Sequence, residues 1–435
     1  MEQRYDRFKV HCSQICEYYK NNDMIILVPL VVLMFSKLMW HLYRLLSSGK
    51  GLPYSDDSAW YLNYASAFIV NIKDGIDIND ALYFGYNLLL AVLLSVFDNP
   101  LAIVMVQIVI ASLSLILIYK ITALLFNRAT AVIASVFYSF TYEVALWSQY
   151  ILSDSFFVSL LLLCVYFLLM GLEPGETKYR KLFVLTSLYL LVFRPTGILC
   201  LAFMGIYIVI RTPSQSAALV RRYRYVMGGA VIAFISVAFY LYTSHALDPL
   251  IESIQFNAKK VLYNVYAKGW IYDKPTAYDY FFRPNYTIDI WNSLVASFIV
   301  NNWDHVSILY GRRAVAFLGT WVWQADFTTL KGLISVANHL LPLALFLIGT
   351  IGAIRNGLLR KASILWLIIA AVFIFCVFLF IDAMYRYRFP ALPFIAIIAA
   401  YGTEIVVANG LDGAKKMTEM VLYGERKTPN RNTGF

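Results

Sequence analysis

The stretch MIILVPLVVLMFSKLMWHLYRLL, residues 24–46, is long and apolar enough to cross a bilayer as a single helix. It is followed at residues 51–69 by GLPYSDDSAWYLNYASAFI, in which two aspartates, Asp56 and Asp57, stand side by side. Further apolar runs follow along the 435 residues, of which 60% are hydrophobic and 14% charged. Soluble domains are about one quarter charged, so most of this chain must face lipid. The composition predicts an all-α protein that crosses the membrane many times.

The charge of the chain has a topological explanation. The net charge is +10, and the basic residues fall mainly in short segments between apolar runs. That distribution is typical of the cytoplasmic loops of membrane proteins, whereas a groove for phosphate backbones concentrates its basic residues in one soluble domain. We therefore expect the lipid bilayer, and no nucleic acid, as a partner.

The basic segments also predict the orientation of the chain. Residues 1–23 and 410–435 each carry several Lys and Arg, which places both termini in the cytoplasm beneath a plasma (inner) membrane. The first span then delivers the aspartate pair to the outer face. Alternation of the later runs predicts about 10 to 11 transmembrane or re-entrant helices. The predicted divisions are a cytoplasmic segment 1–23, a transmembrane module 24–243 with a first outer loop 47–100, an outer segment 244–333, C-terminal helices 334–409 and a cytoplasmic tail 410–435.

Three segments do not fit simple spans. In the first outer loop, residues 60–73 and 83–97 are predicted to form helices on the membrane surface, with a short true span over 83–97 as the alternative. Residues 182–211 are basic at both flanks and contain FRPTG, which predicts a helix pair that enters from inside and turns at Arg194. Residues 244–333 are rich in Tyr, Trp, Asn and Asp, and are predicted to form a small soluble or interfacial domain outside.

This topology gathers ionisable residues on the outer face. Charged side chains at the hydrocarbon edge are costly, and each is a candidate for function. A carboxylate can take a proton from a hydroxyl, and the planar arginine side chain binds phosphate oxygens. Acids and arginines together therefore indicate a reaction on an anionic substrate. The gathered residues are Asp56, Asp57, Asp154, Arg194, Asp382, Arg386 and Arg388.

Each candidate also has a purely structural explanation. Asp154 fits the N-cap of an inward helix, and Asp56 or Asp57 fits the cap of the first interfacial helix. Arg194 can pair with an acid inside the bundle. The arginines of the last outer loop can reach lipid headgroups, although arginine on the outer side runs against the positive-inside tendency.

Four short motifs on this face resemble those of GT-C glycosyltransferases, which include protein O-mannosyltransferases and lipid A aminoarabinose transferases. Asp57 and Tyr61 have the spacing of the D-x-x-x-Y motif in the first outer loop of those enzymes. YILSDS, residues 150–155, is similar to their second acidic motif. RPTG, residues 194–197, resembles their re-entrant basic motif, and RYRFPALPF, residues 386–394, resembles the start of their final helix. The resemblance covers most of the chain from the first span onward.

The resemblance implies a GT-C fold and an inverting glycosyltransferase. Such an enzyme moves a hexose or pentose from a polyprenyl-phosphate donor to a hydroxyl of a glycan, glycolipid or protein on the outer face, as in cell-envelope glycan synthesis. It implies Asp57 as the catalytic base, with Asp56 as the second choice and Asp154 orienting the acceptor or a basic partner. The other implied site residues are Arg386, Arg388 and Arg194 for the donor phosphate, and Tyr61, Trp60 and Tyr150 for the acceptor or the groove.

The outer loops also bear on cofactor use and on the alternative functions. Some relatives use a divalent metal, but the outer loops hold no dense set of ligands, so we expect no obligatory metal and no other cofactor. A lipid-linked glycan polymerase or ligase is the main alternative, and a glycolipid flippase or transporter is a weaker one. Two short surface helices over residues 56–100 favour the GT-C fold, whereas a hairpin of full spans there favours the alternatives.

Overall fold

The computed structural model describes residues 23–49, 51–70, 82–263, 282–319, 325–379 and 384–424. Every regular element in these ranges is helical, as predicted for an all-α protein. The helices are α1 Met24–Ser47, α2 Asp56–Val70, α3 Phe84–Phe97, α4 Pro100–Leu125, α5 Arg128–Phe140, α6 Tyr142–Trp147, α7 Ser153–Gly171, α8 Thr177–Phe193, α9 Pro195–Arg211, α10 Pro213–Thr243, α11 Asp248–Leu262, α12 Leu294–Asn301, α13 Trp303–Ala316, α14 Leu330–Arg355, α15 Leu359–Phe378, α16 Met384–Tyr387 and α17 Leu392–Gly424.

Several of these helices can cross a membrane. Within the described ranges, six stretches are long and apolar enough, namely α1, α4, α7, α14, α15 and the run Met384–Leu411. Two sharply bent helix pairs raise the number to eight if each pair is one span: Pro195–Arg211 with Ser216–Val226, and Val231–Thr243 with Asp248–Leu262. The multispanning character agrees with the prediction. A total of about 10 to 11 transmembrane or re-entrant helices stays a prediction.

The helix pair around Arg194 determines where the polar residues meet. α8 and α9 have 17 residues each, and Arg194 between them has an extended backbone with φ −164° and ψ 143°. Pro195 opens α9, a position where its missing N–H costs no hydrogen bond. The start of α8 contacts the end of α7, and the end of α9 contacts the start of α15. The predicted division into two helices at Arg194 agrees with the structure, and entry of this pair from inside stays a prediction. We call the end of the bundle at which Arg194 lies the site end.

The two helices that follow α1 are too short to cross a bilayer. α2 and α3 have 15 and 14 residues, or about 21 to 23 Å against a hydrocarbon core of about 30 Å. α3 packs against α4 and α8. Near its start, the Gly85 carbonyl accepts a hydrogen bond from the Tyr189 hydroxyl at 2.9 Å. Its end leads directly into α4, where Gln107 Nε2 donates to the Tyr150 carbonyl at 2.8 Å. The short length of α3 counts against a true span across 83–97, and its location on the membrane surface stays a prediction.

α14 and α17 cross at small residues. A side chain added at Gly349 or Gly402 would overlap backbone atoms of the facing helix, so glycine permits the close approach. Pro342 lies inside α14, ahead of this crossing. The C-terminal half of α14 therefore packs closely on α17, while residues between 338 and 346, on both sides of Pro342, border a cavity.

The predicted outer segment 244–333 contains α11, α12 and α13. These helices share a small hydrophobic cluster around Phe298, separate from the main core. Tyr385 on α16 packs against both the small cluster and the main core. An independent outer domain stays a prediction, and residues 264–281 and 320–324 lie outside the described ranges.

Candidate active site

Four charged residues from distant parts of the chain meet at the site end. Arg386 Nη1 donates to Asp57 Oδ2, and Arg386 Nε donates to Asp154 Oδ2 at 2.8 Å. On the other side of Asp154, Arg194 Nη1 donates to Oδ1. These contacts join α2, α16, α7 and the α8–α9 turn. We call the series Asp57–Arg386–Asp154–Arg194 the acid–arginine chain.

The acid–arginine chain runs from the protein interior to the surface. The exposed fraction of the side chain is 1% for Arg194, 0% for Asp154, 8% for Arg386 and 49% for Asp57. Two carboxylates and two guanidinium groups balance in charge, which is necessary because a lone buried charge is costly. The arrangement leaves one carboxylate, that of Asp57, in contact with solvent.

The start of α2 explains why this carboxylate is available. Ser55 directly precedes the helix, and its Oγ accepts a hydrogen bond from the Ser58 backbone N–H at 3.2 Å. Ser55 is therefore the N-cap, and the expectation that Asp56 or Asp57 caps this helix is wrong. The helix starts at Asp56, four residues before the predicted boundary, so both aspartates lie in its first turn. Asp56 is exposed and makes no ion pair with any residue in the described ranges.

The carboxylate of Asp154 likewise binds side chains from other elements and not the backbone of its own helix. α7 begins at Ser153, and no side chain caps it. Asp154 lies in the first turn, where a negative charge is favoured by the helix dipole, and both its oxygens accept from arginines. Its interpretation as an N-cap is therefore wrong, because its carboxylate is bound across helices.

Arg194 is enclosed on all sides. Its guanidinium carbon lies 4.6 Å from the centre of the Tyr387 ring and 5.8 Å from that of Phe157. Its pairing with Asp154 agrees with the structural alternative considered for it. Its Nε and Nη2 have no hydrogen-bond partner among the described residues. The expectation that Arg194 contacts a donor phosphate does not fit a side chain that is 1% exposed.

Arg388 belongs to a different environment from Arg386. Its Nη2 donates to Glu143 Oε1 at 2.9 Å, and its Nη1 donates to the Phe317 carbonyl at 3.0 Å. Glu143 was not among the predicted site residues. The sequence signal that could have found it is a lone acid, in TYEVALW at residues 141–147, at the outer end of a predicted outward span.

Arg388 and Glu143 lie at the edge of a large cavity. The cavity has a volume of about 800 Å³, and its other walls are mainly apolar side chains from α5, α13, α14, α15 and α17. A second, smaller groove of about 460 Å³ lies between α3, α4, α7 and α8, and no charged residue lines it. The larger cavity therefore combines a lipid-like interior with one cation, and the smaller groove offers apolar contact alone.

The three predicted aromatic residues differ in exposure. Tyr61 is buried, its hydroxyl lies 3.3 Å from Ser153 Oγ, and burial raises its pKa. Trp60 is exposed and lies beside other rings of the first loop. Tyr150 is half-buried, with its ring centre 5.6 Å from that of Trp147. The rings of Trp60 and Tyr150 are therefore accessible at least in part, whereas Tyr61 lies in the interior.

Metal ligands are sparse in this region. Among the residues that the structure describes, no group of three or more His, Cys, Asp or Glu side chains is placed to hold a metal ion. Asp382, one of the predicted outer charges, lies outside the described ranges.

The central part of the chain matches a known family. Residues 83–242 match the family model described as dolichyl-phosphate-mannose-protein mannosyltransferase. The resemblance to GT-C glycosyltransferases is confirmed. This match supports a membrane glycosyltransferase of the GT-C type. It includes Asp154 and Arg194, while Asp57 and Arg386 lie on either side of it. No curated protein matches the chain.

The acid–arginine chain makes a prediction about stability. Asp154→Asn removes the counter-charge of two buried arginines, and we expect a loss of about 3 kcal/mol or more in the free energy of unfolding. Asp56→Asn is the matched control, because Asp56 is exposed and unpaired within the described ranges. Thermal unfolding of the purified protein in detergent measures both variants. Equal unfolding temperatures for the two variants would contradict the assigned ion pairs.

Proposed function

We propose that this protein is an inverting glycosyltransferase that uses a polyprenyl-phosphate sugar and acts on the outer face of the plasma (inner) membrane. The observation that carries the proposal is the acid–arginine chain, which ends in one solvent-exposed carboxylate at Asp57. The family match over residues 83–242 supports the same reaction class. The basic segments at both termini support a cytoplasmic location for the termini and hence an outer location for the site.

Asp57 has the geometry of a general base. Arg386 holds its Oδ2, whereas Oδ1 has no hydrogen-bond partner among the described residues. One oxygen is thus oriented and the other is free to accept a proton, in a side chain that is 49% exposed. Asp56, on the same helical turn, has no such anchor and is the second choice.

The transfer step follows from this geometry. The acceptor hydroxyl gives its proton to Asp57 Oδ1 while its oxygen attacks the anomeric carbon of the donor sugar. The bond from that carbon to the phosphate oxygen breaks, and its electron pair leaves with the lipid phosphate. Attack from the face opposite the phosphate inverts the anomeric configuration. The leaving phosphate is a stable anion, so it needs a nearby cation more than it needs a proton.

Asp154 and Arg194 act as positioning residues. Both are buried, and neither can touch a substrate without leaving its partners. Asp154 fixes the orientation of Arg386, and Arg194 balances the charge of Asp154. We therefore assign Arg194 to the support of Asp154 rather than to the donor phosphate.

The donor phosphate is assigned to Arg388, beside Arg386. Arg388 lies at the edge of the cavity of about 800 Å³, whose apolar walls suit a polyprenyl chain. Two residues span at most about 7 Å of chain, so the backbones of Arg386 in the acid–arginine chain and of Arg388 at the cavity edge lie within about that distance. Arginine binds phosphate oxygens through its planar fork. Glu143 occupies part of that fork, and a phosphate would displace it.

The first functional prediction compares the two adjacent aspartates. We expect Asp57→Asn to reduce sugar transfer about 100-fold or more, because an amide cannot take the acceptor proton. Asp56→Asn is the matched control and should retain transfer. Mass analysis of surface glycans and glycolipids, in cells that lack the protein and are complemented with each variant, provides the measurement. One sugar should be missing with Asp57→Asn and restored with Asp56→Asn, and a glycan restored in full by Asp57→Asn would refute the base assignment.

The second functional prediction concerns the donor phosphate. We expect Arg388→Ala to weaken the binding of polyprenyl phosphate about tenfold, because it removes a charge-assisted contact. Glu143→Gln should strengthen that binding, because it removes a competing anion. Native mass spectrometry of the protein in nanodiscs measures both, with Arg221→Ala on the exposed part of α10 as a control. Unchanged binding in Arg388→Ala would assign the phosphate elsewhere.

We further propose that transfer needs no obligatory metal. Both carboxylates of the acid–arginine chain already accept hydrogen bonds from arginines, which supply the positive charge that a divalent ion would otherwise supply. We expect membranes treated with a chelator to retain sugar transfer. Loss of sugar transfer after chelation, reversed by added manganese or magnesium, would contradict the proposal that no metal is needed.

A further inference from the structure

Arg313 on α13 fixes the end of a neighbouring helix. The side chain is 0% exposed, its Nη2 donates to the Cys376 carbonyl at 2.6 Å, and its Nε donates to the Val377 carbonyl at 3.1 Å. Both carbonyls belong to the last turn of α15, where backbone carbonyls lack partners within the helix. A cation is also favoured at this position by the helix dipole. Arg313 thus satisfies two buried acceptors at the end of α15.

The same helix also contacts Arg388. Phe317 directly follows α13, and its carbonyl accepts from Arg388 Nη1 at 3.0 Å. Two ring contacts reinforce the position of α13 against α15. Tyr310 stacks on Phe378 with ring centres 5.6 Å apart, and the Phe317 ring packs edge-on against Phe373 at 5.2 Å. α13 therefore holds the end of α15 and the Arg388 side chain at once.

We propose that Arg313 is a positioning residue for Arg386 and Arg388. Both arginines follow α15 in the chain, so their places depend on where α15 ends. By holding that end and Arg388 together, α13 sets the separation between the acid–arginine chain and the donor-phosphate contact. The segment 244–333 thereby gains a role, because its helix α13 holds both Arg386, which anchors Asp57, and Arg388, which is assigned to the donor phosphate. The effect on substrate binding rests on the proposed function, whereas the effect on the position of the two arginines does not.

The chemistry of arginine suits this role better than that of lysine. A guanidinium presents several N–H groups in a fixed plane and can reach two successive carbonyls, whereas an ammonium is a compact point charge. Arg313→Lys retains the charge with one of the two contacts, and Arg313→Met removes both. Arg312→Gln is the matched control, because it removes an adjacent charge and leaves both carbonyl contacts in place.

Hydrogen exchange in nanodiscs tests the inference without any substrate. In peptides that cover residues 384–395, we expect about tenfold faster exchange for Arg313→Met and an intermediate effect for Arg313→Lys. Arg312→Gln should match the wild type, and exchange in α4 and α7 should stay unchanged in all variants. Binding of polyprenyl phosphate should weaken about tenfold in Arg313→Met and less in Arg313→Lys.

Two outcomes overturn the inference. Wild-type exchange over residues 384–395 in both Arg313 variants would show that α13 does not brace this region. Uniformly faster exchange across the bundle would show that Arg313 serves general stability instead. If Arg313→Met does not fold, Arg313→Lys decides between these outcomes. A local change in exchange with no binding of polyprenyl phosphate by the wild type would support the positioning role and count against the proposed function.

Discussion

The arrangement of the site end depends on one guanidinium, that of Arg386, which lies between two carboxylates of different exposure. Asp154 on one side is fully buried, and Asp57 on the other is half-exposed. A buried guanidinium is costly unless its charge and its N–H groups are both satisfied, so the positions of α2, α7 and α16 constrain one another. Arg194 extends the constraint to the α8–α9 turn, because its guanidinium donates to the second carboxylate oxygen of Asp154.

This constraint gives the site its chemical character. The acid–arginine chain as a whole is balanced in charge, and its exposed end presents a single oriented carboxylate. Beside it, Arg388 borders an apolar cavity. A base near water and a cation near a lipid-like space are the two requirements for transfer from a lipid phosphate to a hydroxyl. The two arginines that follow α15 thus have separate duties, although only one residue lies between them.

Much of this site could be predicted from the sequence. Apolar runs and basic segments indicate which end of each span faces outward, so Asp57, Asp154, Arg194 and Arg386 could be assigned to one face before any contact was known. The break at Arg194 was also predictable, because Pro195 cannot continue the preceding helix.

Other features depend on tertiary contacts that no local pattern reveals. The opposite environments of Arg386 and Arg388 follow from the one-turn helix α16 and the turn after it, whose backbone sets each side-chain direction. Ser55, and not one of the aspartates, is the N-cap of α2, because the helix begins at Asp56 and Ser55 Oγ accepts a hydrogen bond from its first turn. Nothing in the local sequence around Glu143 or Arg313 points to their partners, which are 245 and 63 to 64 residues away in the chain.

The central claim is that Arg386 couples Asp57 to the buried part of the site, and a double-mutant cycle tests it most directly. The free energy of unfolding is measured for the wild type, Asp57→Asn, Arg386→Met and the double variant. The account predicts that Asp57→Asn costs clearly less stability when Arg386 is already replaced, because the shared ion pair is then absent. Strictly additive effects of the two substitutions would contradict it.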